Sequence, residues 1–156
     1  AAVSVGLLER VDAAAAAEWR NQVAEDGDPS VCDAFLYPAA SSAEGATSEQ
    51  RVAMSSHKDP GWFTVKQGSL DGGLEVFDRS TEAWVNVEDR SFYDSIDACT
   101  EGSSQTPLEP EDFVVIFAGE RLETWSEGAI PAVPHRSLSC VADRLSFIYE
   151  LRDHEC

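Results

Sequence analysis

His57, Asp59 and His135 are the residues of this chain whose types and spacing could hold a metal ion. The stretch His57-Lys58-Asp59-Pro60-Gly61 lies 78 residues before Pro134-His135-Arg136. Two imidazoles and one carboxylate on one side of a divalent ion leave three adjacent positions open, an arrangement suited to Fe(II) and O2 chemistry. In extended backbone, residues two apart point to the same face, so His57 and Asp59 can reach one ion. The pair alone is a modest signal, because 29 of the 156 residues are acidic. His135 strengthens it: the chain has three histidines, and His154 sits in a charged tail. His135 also suits a buried imidazole satisfied by a backbone carbonyl, and both readings stand at this level.

A second group lies in Arg144-Leu-Ser-Phe-Ile-Tyr-Glu-Leu. In a strand, Arg144, Ser146 and Ile148 share one face, while Leu145, Phe147, Tyr149 and Leu151 share the other. A guanidinium beside a hydroxyl offers two parallel charge-assisted hydrogen bonds and a third donor, which suits the distal carboxylate of a keto acid. An edge-strand arginine paired to a surface acid is the plain alternative.

The elements that must position these groups follow from the sequence pattern. An alanine-rich run from Ser4 to about Ala24 carries Leu7, Val11, Ala15, Trp19 and Val23 at four-residue steps, which predicts one amphipathic N-terminal helix. Gly27 and Pro29 end it. Strands are expected at Val31 to Tyr37, Trp62 to Lys66, Leu74 to Phe77, Trp84 to Val87, Phe113 to Ala118, Ala129 to Val133 and Leu145 to Leu151. Residues 38 to 50 and 88 to 112 are polar and read as loops, the second as an insertion. Trp62, Trp84 and Trp125 are assigned to packing.

Composition excludes some partners. With 11 basic against 29 acidic residues the formal charge is −18, which repels nucleic acid and anionic lipid. No run approaches the roughly 18 to 20 apolar residues needed for a membrane span. Four cysteines, at 32, 99, 140 and 156, show no Cys-x-x-Cys pair and read as scattered thiols, with one disulfide left open.

Taken together, Val31 to Tyr37, HKDPGWFTV, GGLEVFDRSTEAWVNVE, VIFAGERLETWSEGAIPAVPHRS and DRLSFIYELR resemble, in the same order, the 2-oxoglutarate and Fe(II)-dependent oxygenases of the isopenicillin N synthase-like type. The resemblance covers about residues 31 to 152. It implies a mainly β fold, a double-stranded β-helix of jelly-roll or cupin-like form, behind an N-terminal helical segment (residues 1 to 30), all in one domain of residues 1 to 156. It also implies that His57, Asp59 and His135 ligate Fe(II), that Arg144 and Ser146 grip the C5 carboxylate of 2-oxoglutarate, and that Tyr37 assists. The expected activity is O2-dependent hydroxylation or desaturation of a small organic substrate.

Three departures from the family pattern bear on that expectation. The region before His57 is short, the loop of residues 88 to 112 is extra, and the chain ends ten residues after Ser146. They motivate an alternative: a non-catalytic oxygenase-fold subunit whose shortened ends are covered by a protein partner. The first residues, Ala-Ala, suggest a processed N-terminus on a soluble, intracellular protein, compatible with an organelle such as the chloroplast or mitochondrion.

Overall fold

The N-terminal helix and most of the expected β segments are present in a computed structural model, which describes residues 10, 13–39, 52–69, 72–89, 113–140 and 142–154. Helix α1 spans Ala13–Asp26, and the start of the predicted helical run, before residue 10, lies outside the described residues. Gly27, at φ +93°, closes α1 by donating its N–H to the Val23 carbonyl (3.0 Å), as a left-handed glycine after a helix does. The packed stripe includes Ala16, Trp19 and Val23, three and four residues apart, and Trp19 and Val23 belong to the expected four-step series.

Eight strands follow among the described residues: β1 (Val31–Tyr37), β2 (Val52–His57), β3 (Phe63–Gln67), β4 (Leu74–Asp78), β5 (Ala83–Asn86), β6 (Val114–Ala118), β7 (His135–Leu138) and β8 (Arg144–Leu151). A short helix α2, Glu120–Trp125, joins β6 to the segment before β7. The strands form two four-stranded sheets, ordered β1-β8-β3-β6 and β2-β7-β4-β5. Every pairing among them is antiparallel. The chain passes repeatedly between the sheets, as in a jelly roll.

Three elements differ from expectation, the first being the short helix α2, which the sequence pattern did not predict. Residues 129–133 are not a strand. Pro131 and Pro134 lack ladder donors, and the strand proper begins at His135, with Val133 keeping a single backbone bond to the Ala118 carbonyl (3.1 Å). Strand β2 carries Ala-Met-Ser-Ser, a run of weak β-propensity, and pairs with β7 through two register shifts; tertiary pairing rather than local preference makes it a strand. The loop at 88 to 112 lies outside the described residues beyond Asp89, and so does 40 to 51. Cys32 and Cys140 are in no disulfide.

Apolar packing sits in two places. On the outer face of the first sheet, α1 and α2 bury Trp19, Trp62, Phe63, Ala118, Leu122 and Leu151. Burying a side chain such as Leu122 or Leu151, both 0% exposed, stabilises by roughly 1.5–3 kcal/mol. Between the sheets the apolar cluster is smaller, Leu74, Val87 and Phe117 flanked by valines. The remaining space between the sheets forms a cavity whose wall mixes apolar side chains such as Phe35, Met54 and Ile148 with polar and charged ones such as Asp59, Lys66 and His135. Strand β8 makes the division plain: Arg144, Ser146, Ile148 and Glu150 face inward, while Leu145 and Phe147 point outward and stay more than half exposed. No helix among the described residues is long and apolar enough to cross a membrane.

Candidate metal centre and cavity

The three expected ligands converge from two strands and a loop. His57 ends β2, His135 begins β7, and the two are direct cross-strand partners. Their rings lie 4.3 Å apart between centroids. Asp59 sits in the turn after β2, so the extended-backbone geometry of the sequence argument covers only His57; the turn then swings the carboxylate back to the same point. That turn is pinned from behind. Glu120 and Arg121 at the start of α2 donate their backbone N–H groups to the Asp59 and Pro60 carbonyls (2.8 and 3.0 Å), and Gly119 donates to Trp62 (3.0 Å). Gly61 and Gly119 make this possible, because a Cβ on Gly119 would overlap the Gly61 carbonyl oxygen.

Each donor is oriented by a local contact. His57 Nδ1 lies 2.8 Å from the Ser55 carbonyl and His135 Nδ1 lies 3.1 Å from the Val133 carbonyl. A carbonyl oxygen only accepts, so in both rings Nδ1 carries a proton, which makes Nε2 the nitrogen that can ligate a metal. Those two Nε2 atoms lie 3.4 and 3.6 Å from the same oxygen, Asp59 Oδ1. The second carboxylate oxygen, Oδ2, accepts the Thr64 hydroxyl. One ligand atom from each of the three residues lies within 4.8 Å of the others. Burial, the largest influence, holds the His135 imidazole below the usual histidine range, and His57 adds to this against the opposing pull of the Val133 carbonyl and Asp59. The result is two imidazoles held with Nε2 toward one oriented carboxylate, a donor set that fits a divalent first-row metal.

The cavity beside this centre has a volume of about 260 Å³. Its wall includes His57, Asp59 and His135 at one end and Tyr37, Lys66 and Ser146 toward the other. Ser146 and Tyr37 both line this cavity. Arg144 is more deeply set, 1% exposed, with its guanidinium carbon 4.4 Å from the centre of the Tyr37 ring. One of its nitrogens, Nη1, donates to Glu88 Oε2 (3.3 Å), whereas Nε and Nη2 are buried without a hydrogen-bond partner.

Three polar residues of this region escaped the sequence reading. Thr64 and Lys66 are on the inward face of β3, and Glu88 follows β5; all are buried. Glu88 accepts from Lys66 Nζ, from Arg144 Nη1 and from the Leu74 backbone N–H (2.8 Å). A lysine in the strand pattern Phe-Thr-Val-Lys was the available signal, since burying an ammonium inside a sheet requires a partner.

No family model matches the chain, and no curated protein matches it in sequence. Solved structures do match in fold. A Shewanella oneidensis protein aligns over 98% of this chain and 52% of its own, at 18% identity and a TM-score of 0.62. A full-length Neurospora crassa protein, solved in complex with alpha-KG and thymine, aligns over 89% and 37%, at 22% identity and 0.61. The dioxygenase for auxin oxidation of rice aligns over 80% and 34%, at 25% identity and 0.56. The chain thus spans between about a third and a half of the length of these structures. Its fold is the double-stranded β-helix of the 2-oxoglutarate and Fe(II)-dependent oxygenases.

Proposed function

We propose that this chain carries the metal and cosubstrate core of a 2-oxoglutarate and Fe(II)-dependent oxygenase acting on a small organic substrate by hydroxylation or desaturation. The observation that carries the reading is the convergence of two Nε2 atoms on one carboxylate oxygen, each ring fixed by a carbonyl two residues before it. The alpha-KG bound to the Neurospora crassa protein of the same fold supports it.

His57, Asp59 and His135 would hold the metal, and Thr64 would keep Asp59 from rotating. Bound Fe(II) would supply the activation of O2 coupled to decarboxylation of the keto acid. The chain's own part is positioning. Ser146 and Tyr37 line the far end of the cavity, with Arg144 behind the Tyr37 ring, and together they would hold the distal carboxylate so that the keto end reaches the metal.

The test is an anaerobic titration with Fe(II) and then 2-oxoglutarate, following the metal-to-keto-acid charge-transfer absorption. The band is expected in the parent chain and absent in Asp59→Ala; a folded parent without a band would overturn the reading. The alternative, a non-catalytic subunit, draws on the exposed Leu36, Leu145 and Phe147 of the first sheet, a surface a protein partner could bury. A missing band together with capture of the chain in a stable complex would favour it.

A further inference from the structure

Asp33, Asp59, Lys66, Glu150 and Arg152 all form part of the cavity wall, and they differ in how they are used. Asp59 faces the two imidazoles and Thr64. Lys66 donates to Glu88. Glu150, 2% exposed, accepts the Gly61 N–H on one oxygen (2.7 Å) and Arg152 Nη2 on the other (2.5 Å). Asp33 is engaged in no hydrogen bond or ion pair among the described residues.

Strand register fixes where this unused carboxylate stands. Strand β1 is an edge of the first sheet, paired to β8 with Tyr37 opposite Arg144, Phe35 opposite Ser146 and Asp33 opposite Ile148. Val31 comes next, opposite Glu150, whose carboxylate holds the turn that carries Asp59. Alternate residues of a strand share a face and lie roughly 7 Å apart. Tyr37, Phe35 and Asp33 therefore form a row that runs from the Tyr37–Ser146 end of the cavity toward the metal end. Asp33 is exposed while Phe35 and Ile148 beside it are half-buried, so this stretch of wall is the open rim. Met54 lines the cavity from the second sheet.

We propose that the rim is a substrate subsite in which Asp33 binds a protonated amine while Phe35, Ile148 and Met54 hold the apolar body attached to it. The proposal rests on the oxygenase reading above and deepens it by naming the substrate class, a small apolar amine. A carboxylate offers only acceptors, and a cationic N–H donor gives it the stronger, charge-assisted bond. A few placed polar groups in an apolar wall fix a ligand's orientation. An anionic end would meet Asp33 at the rim and find Arg152 already taken up by Glu150. The formal charge of −18 also draws cations toward the molecule.

The experiment compares isopentylamine, isopentanol and 4-methylpentanoate, which share one apolar body and end in a cation, a neutral hydroxyl and an anion. Binding is measured by calorimetry on the metal-free chain and on the anaerobic chain loaded with Fe(II) and 2-oxoglutarate. In both states the amine is expected to bind about tenfold more tightly than the alcohol, the lower end of the range for a hydrogen bond to a charged group because Asp33 is exposed. Asp33→Asn should erase that preference and leave isopentanol unchanged within about twofold, and Asp33→Lys should transfer the preference to 4-methylpentanoate. An exposed, unpaired side chain is not needed for folding, so both variants should keep the parent's melting temperature. Absence of amine binding, equal binding of the three probes, or a preference that survives in Asp33→Asn overturns the proposal. So does a preference lost on loading with 2-oxoglutarate, which would put the amine in the cosubstrate's own space.

Failure of the oxygenase reading shows separately. A missing charge-transfer band with an Asp33-dependent preference in the metal-free chain removes that reading and leaves the amine subsite standing; a band with no preference does the reverse.

Discussion

The two ends of the cavity are built on opposite plans. At the metal end each imidazole is oriented by a carbonyl only two residues away, and a single carboxylate faces both rings. At the cation end the order comes from distance: Glu88 reaches Lys66 across 22 residues of sequence and Arg144 across 56. Charges there hold one another. At the metal end short-range contacts set the ring orientations, and the pairing of β2 with β7 brings the two rings together. The cation end depends on the sheets having assembled, and its electrostatics stabilise only if all members are present.

The sharpest way to break this comparison is to remove the shared oxygen at the metal end. Asp59→Ala deletes the atom both imidazoles face, and the expected outcome is loss of detectable Fe(II) binding by anaerobic calorimetry, with the melting temperature of the metal-free chain little altered. An Asp59→Ala chain that still binds Fe(II) as the parent does would mean that the histidines do not act with this carboxylate. The contrasting experiment at the other end is Glu88→Ala. It strands two buried cations and the Leu74 N–H, and should cost about 3–5 kcal/mol of folding stability in urea titration, the range for breaking a buried ion pair. A loss under about 1 kcal/mol would show that water reaches the cluster and that its charges are screened.

This difference also explains what the sequence disclosed. His57, Asp59 and His135 were legible because histidine is rare here and because the contacts that aim the rings are local. Alternation along Arg144 to Leu151 was legible because β8 is long and its two faces differ in chemistry. Lys66 and Glu88 were not. Lys66 read as one position in a short strand, and Glu88 as the first residue of a polar loop, because nothing in either neighbourhood specifies a partner 22 residues away. Strand β2 was invisible for a related reason: Met54 and Ser55 carry little β-propensity, and their pairing is decided by β7. Residues 129–133 failed in the other direction, with an apolar run suggesting a strand that the flanking prolines do not allow.

A smaller effect sharpens the metal end. Thr64→Val keeps the shape of the side chain on β3 and removes the donor to Asp59 Oδ2. The carboxylate then has a free oxygen and a softer rotor, and Fe(II) affinity should fall by about 10- to 100-fold, as when an outer hydrogen-bond partner of a metal ligand is lost. Calorimetry checks it, and Thr64→Ser should retain the parent affinity. An unchanged affinity in Thr64→Val would assign the orientation of Asp59 to the backbone of the Asp59–Trp62 turn instead.

The smallest effect expected is at the cation end and depends on pH. Burial, the leading cause, lowers the Lys66 ammonium below its ordinary value of 10.5, against the stabilising charge and hydrogen bond of Glu88, while Arg144 lowers it further. The folded state therefore binds this proton less tightly than the unfolded state does. Where the group titrates, the unfolded chain carries more protons, and stability rises with pH. The penalty is fully present below the folded value and is relieved as pH climbs through it toward 10.5. Urea titrations of the parent and of Lys66→Met across this alkaline window should show a difference in unfolding free energy that moves in the parent's favour as pH rises. A difference that moves the other way would mean that Glu88 outweighs burial, so that the pair is held as tightly as an ordinary buried salt bridge.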